Sequence, residues 1–117
     1  MLINREIGED YDMIDGALFQ EELMQLDSLG KKRIQVWINS PGGQVLNGMN
    51  IYNAILKSKT PVDTYCVGIA ASIAGAIFMA GRKRYMADYG RLMMHPVQGT
   101  ADSKSYEALM SSIATML

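Results

Sequence analysis

Along this chain a strand-like pattern repeatedly gives way to a helix-like one, and that alternation restricts the fold more than any other feature. "RIQVWIN", residues 33–39, sets Ile34, Val36 and Ile38 against Arg33, Gln35 and Trp37, the period of two of a half-buried strand. "SPGG" interrupts it. Val45, Met49, Tyr52 and Leu56 then recur at helical spacing, and residues 57–60 close that helix ahead of Pro61. The same switch occurs on either side. "LINR", residues 2–5, predicts a short opening strand. After a loop over 8–12, Phe19, Leu23 and Leu26 mark one face of a helix over 13–29, ringed by Glu21, Glu22, Gln25 and Asp27 and stopped by Gly30. "VDTYCVG", 62–68, is rich in β-branched and aromatic residues and predicts a strand, followed by a helix from Ser72 to Ala80. "RYMA" (84–87) and "RLMMH" (91–95) read as two strands around a turn at Asp88, Tyr89 and Gly90, and a last helix runs from Ser103 to the C-terminus. Such alternation predicts an α/β fold with a mostly parallel sheet and right-handed crossovers.

At 117 residues the chain is long enough for one domain with a real core and too short for two of ordinary size, so residues 1–117 are expected to form a single domain. A net charge of -1 leaves no basic excess to attract nucleic acid. The longest apolar run, from Val67 to Ala80, is broken by Gly68, Ser72 and Gly75 and falls short of the ~20 residues that cross a bilayer; it reads as a buried core helix. No secretion signal opens the chain, and a reducing, cytoplasmic compartment is expected. With Cys66 the only cysteine and His95 the only histidine, neither an intrachain disulfide nor a Cys/His metal cluster can be assembled, and no metal or cofactor is expected.

Three strand ends carry unusual residues. Gly42 and Gly43 after a strand allow positive φ and bring bare N–H groups up to an anion, or they make an ordinary turn. Ser72, the one hydroxyl in "GIAASIAGAIFMAG" (68–81), stands near a helix start. There it is a cap, a buried hydroxyl bonded to backbone, or a nucleophile favoured by the positive helix end. It lacks the G-x-S-x-G pattern of a nucleophile elbow. His95, at the end of the last strand, is the side chain able to act as a base near neutral pH without a large pKa shift, although a lone histidine there is usually structural. A serine, a histidine and a glycine pair at the ends of consecutive elements together outweigh their separate bland readings.

Three runs, "INSPGGQVLNGMNIYNAI" (38–55), "GIAASIAGAIFMAG" (68–81) and "LMMHP" (92–96), resemble the ClpP-like serine proteases in order and spacing. The resemblance implies a ClpP/crotonase-type fold of repeated strand-helix units, its C-terminal handle region truncated at Leu117. It implies Ser72 as nucleophile and His95 as general base, with the N–H groups of Gly43 and Ile73 as oxyanion hole. Strand-like backbone over Gly42, Gly43 and Val45 would align an extended peptide. Peptide or protein substrates and a ring-type homo-oligomer follow from it, with no nucleic-acid or membrane partner. The opening "REIGEDYDMIDGALFQEELMQL" and "MMHP" are similar to phage and prophage members.

Three departures accompany the resemblance. The family's catalytic aspartate lies beyond a long helix downstream of the histidine, past Leu117. Asp88 and Asp102 do not occupy its position and read as exposed turn residues. In a Ser-His-Asp protease, losing the acid's orienting effect costs about 10⁴ in turnover. Pro96 follows His95 directly, where the family usually has an intervening residue. The start of the chain at the first strand argues against docking to an AAA+ unfoldase. The face of Leu109, Met110, Ile113, Met116 and Leu117 reads as an association surface. Three other readings stand beside the peptidase: a non-catalytic ClpP-like scaffold, a crotonase-superfamily acyl-CoA enzyme, and a serine-lysine peptidase sharing "INSPGG" and "AAS".

Overall fold

A computed structural model of the chain describes residues 1–94. Its elements are β1 (Leu2–Ile3), α1 (Gly16–Ser28), β2 (Ile34–Ser40), α2 (Val45–Lys57), β3 (Val62–Ala71), α3 (Ile73–Met79), β4 (Arg84–Met86) and β5 (Arg91–Met93). All pairings between strands are parallel, in the order β1-β2-β3-β4, with β5 also on β3. The expected α/β fold with a parallel sheet is therefore present. Because the order advances in one direction, right-handed crossovers put successive helices on the same face. There α1 packs on α2 and α2 on α3, enclosing Ile3, Ile7, Val36, Ile38, Leu23, Ile51, Ile73 and Ile77.

Local chemistry explains the element ends. α1 starts three residues later than its periodicity suggests, because Asp15 takes the N-cap and its carboxylate accepts the Leu18 N–H at 3.0 Å. Ile14 is instead paired to the preceding loop: its N–H donates to the Glu6 carbonyl, and its carbonyl accepts the Gly8 N–H. At the far end Gly30 adopts φ 69, the left-handed cap expected of it. On β2 the alternation holds at every residue, with Ile34, Val36, Ile38 and Ser40 inward. On α2 the buried side follows Val45, Gly48, Ile51, Tyr52 and Ile55, while Leu56 turns outward.

Two expectations need correction. β3 continues through Ala71, so Val67 to Ala71 belong to a strand, and the core helix in this apolar run is only the seven residues of α3. Pairing on both sides holds the small residues extended. Ala70 sits opposite Ser40 on β2, and Ile69 to Ala71 pair with Arg91 to Met93 on β5. The two strands expected around the Asp88–Gly90 turn are present, and the turn does not reverse the chain. β4 pairs with Thr64 to Cys66 and β5 with Ile69 to Ala71, both parallel, so the turn is an offset along one edge. Second, extended backbone over 43–45 stops at Gln44. Val45 is instead the first residue of α2 and is 5% exposed. His95, Asp102 and the helix expected from Ser103 lie outside the described residues.

Two ion and hydrogen-bond clusters tie the strand beginnings together. Arg33 grips Asp63 with two N–H groups, at 2.5 and 2.6 Å, and the Lys83 N–H adds a third bond at 3.1 Å. These bonds, from Arg33 above all, hold the Asp63 carboxyl below its ordinary value despite burial. Asp27 accepts the Thr60 hydroxyl at 2.6 Å and the Thr60 N–H at 2.8 Å, which lowers its pKa and fixes the loop between α2 and β3. Among the described residues no helix is long and apolar enough to cross a membrane, and no cluster of three metal-ligating side chains occurs.

Candidate active site

Adjacent parallel strands end on the same side of a sheet, so the carboxyl ends of β2 and β3 bring their following turns together. Gly42 and Gly43 follow β2; Ser72 follows β3. A methyl group on Gly42 would lie 2.7 Å from the Ala71 carbonyl oxygen, 2.9 Å from Ser72 Cβ and 3.4 Å from the Ile73 nitrogen. The "SPGG" turn therefore touches the serine turn, and only glycine permits the approach. The two glycines adopt φ 101 and φ 148, the positive values expected of them.

Ser72 has φ 56 and ψ -127 and is the one non-glycine residue of positive φ among those described. Such a conformation costs of order 1–3 kcal/mol and persists only where its surroundings enforce it. Its N–H donates to the Met93 carbonyl at 2.7 Å, and its own carbonyl accepts from Gly75 and Ala76 at 3.0 and 3.3 Å. Among the described residues, neither the side-chain cap nor the backbone-bonded hydroxyl is found. Ser72 takes the N-cap position of α3 without a side-chain cap bond, and its half-buried hydroxyl makes no hydrogen bond to a described residue. The sharp strand-to-helix turn is that of a nucleophile elbow, although alanines stand where G-x-S-x-G has glycines.

The N–H groups of Gly43 and Ile73 also donate to no described residue. Ile73 is the first residue of α3, where the helix itself offers its N–H no partner. Gly43 is different: the bonds on either side of it go to Ile7, from the Ile7 N–H to the Gly42 carbonyl (2.8 Å) and from the Gln44 N–H to the Ile7 carbonyl (2.9 Å). The role of Ile7 was not apparent from the sequence, since it acts through its backbone. Nor was that of Met93, whose carbonyl secures Ser72 to β5 one residue before the described chain ends at Met94. Asp88 stands exposed in its turn, as its sequence context suggested.

A family model described as Clp protease matches residues 4–113. The chain belongs to the Clp protease family. It is 36% identical over 113 residues to the chloroplastic ATP-dependent Clp protease proteolytic subunit 3 of Arabidopsis thaliana, covering 92% of this chain and 37% of that protein. It is 41% identical over 91 residues to the ATP-dependent Clp protease proteolytic subunit of Carsonella ruddii, covering 76% of this chain and 47% of that protein. The chain thus spans less than half the length of these curated relatives. Among solved structures, the ClpP protease catalytic domain of Plasmodium falciparum superimposes with a TM-score of 0.83 at 25% identity, covering 97% of this chain and 63% of that one. The ClpP1 N165D mutant of Listeria monocytogenes gives 0.75 at 27% identity, covering 99% and 64%. The Clp protease fold thus extends over the strands and helices that carry Gly42, Gly43 and Ser72.

Proposed function

We propose that this chain carries the nucleophile and oxyanion hole of a ClpP-like serine endopeptidase, with Ser72 as nucleophile and His95 as general base. The observation that carries the proposal is the strained Ser72 turn lying against Gly42, with its hydroxyl and the nearby N–H groups of Gly43 and Ile73 bonded to no described residue. Ser72 Oγ attacks the peptide carbonyl while His95 takes its proton, and the carbonyl oxygen becomes an oxyanion held by the Gly43 and Ile73 N–H groups. The tetrahedral intermediate then collapses. The C–N bond breaks, His95 returns the proton to the leaving amine, and water hydrolyses the acyl-enzyme by the same steps. The exposed backbone at Gly43 lines up the substrate chain beside Ser72.

The Clp protease relatives favour peptide over acyl-CoA substrates. A ring-type homo-oligomer, a cytoplasmic setting and affiliation with phage-type members belong to the same proposal, on the motifs quoted above. A fluorophosphonate probe is expected to label Ser72 in the full chain. Ser72→Ala should abolish labelling, and His95→Ala should slow it by about 10²–10⁴. Labelling that survives Ser72→Ala overturns the assignment; an unreactive wild-type chain favours the non-catalytic scaffold.

A further inference from the structure

The buried face of β2 runs Ile34, Val36, Ile38 and then changes to a hydroxyl at Ser40, which is 0% exposed. A hydroxyl placed where an aliphatic side chain would fit is costly to desolvate unless it is bonded. Ser40 Oγ accepts the N–H of Gly42 at 3.1 Å. Pro41, between them, fixes its own φ and favours extended backbone at Ser40, which restricts the backbone that joins the two partners.

Glycine has little intrinsic resistance to a flip of the peptide planes beside it. Both planes flanking Gly42 are nevertheless secured. The plane before it is held through its N–H by Ser40, and the plane after it through its C=O by the Ile7 N–H at 2.8 Å. In a trans peptide the C=O and N–H point opposite ways, so the second bond turns the Gly43 N–H away from Ile7. We propose that Ser40 is a positioning residue for the oxyanion hole: its buried hydroxyl fixes Gly42 and, through it, the direction of the Gly43 N–H. At 0% exposure it is out of a substrate's reach and acts through Gly42. The inference rests on the peptidase function proposed above. Without the hydroxyl, the buried Gly42 N–H loses its partner and the turn relaxes toward another.

The test compares Ser40→Ala, Ser40→Cys and Ser40→Thr in the full chain, by fluorophosphonate labelling kinetics, thermal melting and amide exchange at Gly42. Displacing a catalytic group by about 1 Å costs on the order of 10²-fold, so Ser40→Ala should slow bond formation by about 10–100-fold, leave probe binding unchanged and keep a cooperative melt. Ser40→Cys fills the same space with a weak acceptor and should be equally slow, while Ser40→Thr restores most of the rate. Exchange at Gly42 should accelerate at least about tenfold in the Ala and Cys variants, and each factor of ten is a loss of roughly 1.4 kcal/mol of local protection. Wild-type labelling rates in Ser40→Ala, or in Ser40→Cys, overturn the proposal. A wild-type chain that resists the probe counts against the peptidase function instead. The hold of Ser40 on the turn then stands or falls on the Gly42 exchange rates alone.

Discussion

Ser72 is held in a conformation that disfavours any side chain, and the structure supplies the restraint from three directions: β3 before it, α3 after it, and the Met93 carbonyl on its N–H. Gly42 is the other half of the same fit. Gly42→Ala would drive a methyl group into Ala71 and Ser72 while forcing alanine to φ 101. The expected outcome is a loss of about 1–3 kcal/mol in a urea melt, together with loss of fluorophosphonate labelling. A variant that keeps both properties would show that the two turns are not tightly apposed. At this scale the sequence was informative about identity and silent about conformation. Ser72 and the glycine pair stood out by composition, and the glycines' positive φ followed from the absence of Cβ. Nothing in "AASIA" announces positive φ at a serine, because tertiary contacts impose it. Ser40 drew no attention of its own for a similar reason: the glycines carry the signal of "NSPGG", and burial of the serine hydroxyl emerges only when β2 is packed.

Among the elements, strand and helix order was legible because period two and period 3.6 are properties of single segments. Register is a property of pairs, and there the sequence ran out. The β2 and β3 ladder advances by two residues from Ile38 to Ser40 and by four from Cys66 to Ala70, and Asn39 closes the gap by accepting the Ile69 N–H at 3.1 Å. That bulge carries β3 to Ala71, beyond the aromatic and β-branched stretch that marked it in the sequence. The other end of the ladder is pH-sensitive. Arg33, with Lys83 assisting, keeps the Asp63 carboxyl below its ordinary value of 3.8. A carboxyl with a depressed folded-state pKa contributes stability above its unfolded value, and that contribution is lost as pH falls through the folded one. Asp27, lowered mainly by the Thr60 hydroxyl, has the same sign. Urea midpoints should therefore hold steady above about pH 5 and fall toward pH 2. Arg33→Gln should lower the midpoint at neutral pH and flatten the acid limb; an acid limb as steep as wild type would remove Asp63 from the account.

Over the whole molecule, the steady strand order leaves the face opposite the helices uncovered by any described helix. Leu2, Trp37, Tyr65 and Tyr85 stand in one row across it. Trp37 stacks on Tyr65 at 5.3 Å between centroids and Tyr65 on Tyr85 at 4.6 Å, with Trp37 42% and Tyr85 45% exposed. Alternation alone put Trp37 on the polar side of β2. That three aromatics from three strands meet there depended on the register just described. The other edge of the sheet has a different consequence. β4 and β5 are each registered on β3 independently, and the turn between them, with Tyr89 95% exposed, carries neither strand's alignment. The backbone at Tyr89 is thus a natural splice point: a short Gly/Ser tag inserted there should leave the melting temperature within a few degrees and the reactivity of Ser72 unchanged, whereas a melting temperature lowered by ten degrees or more would mean the turn is structural. A tag there would leave Ser72 in place, because β5, whose Met93 carbonyl holds the Ser72 N–H, takes its alignment from β3 and not from the turn that precedes it.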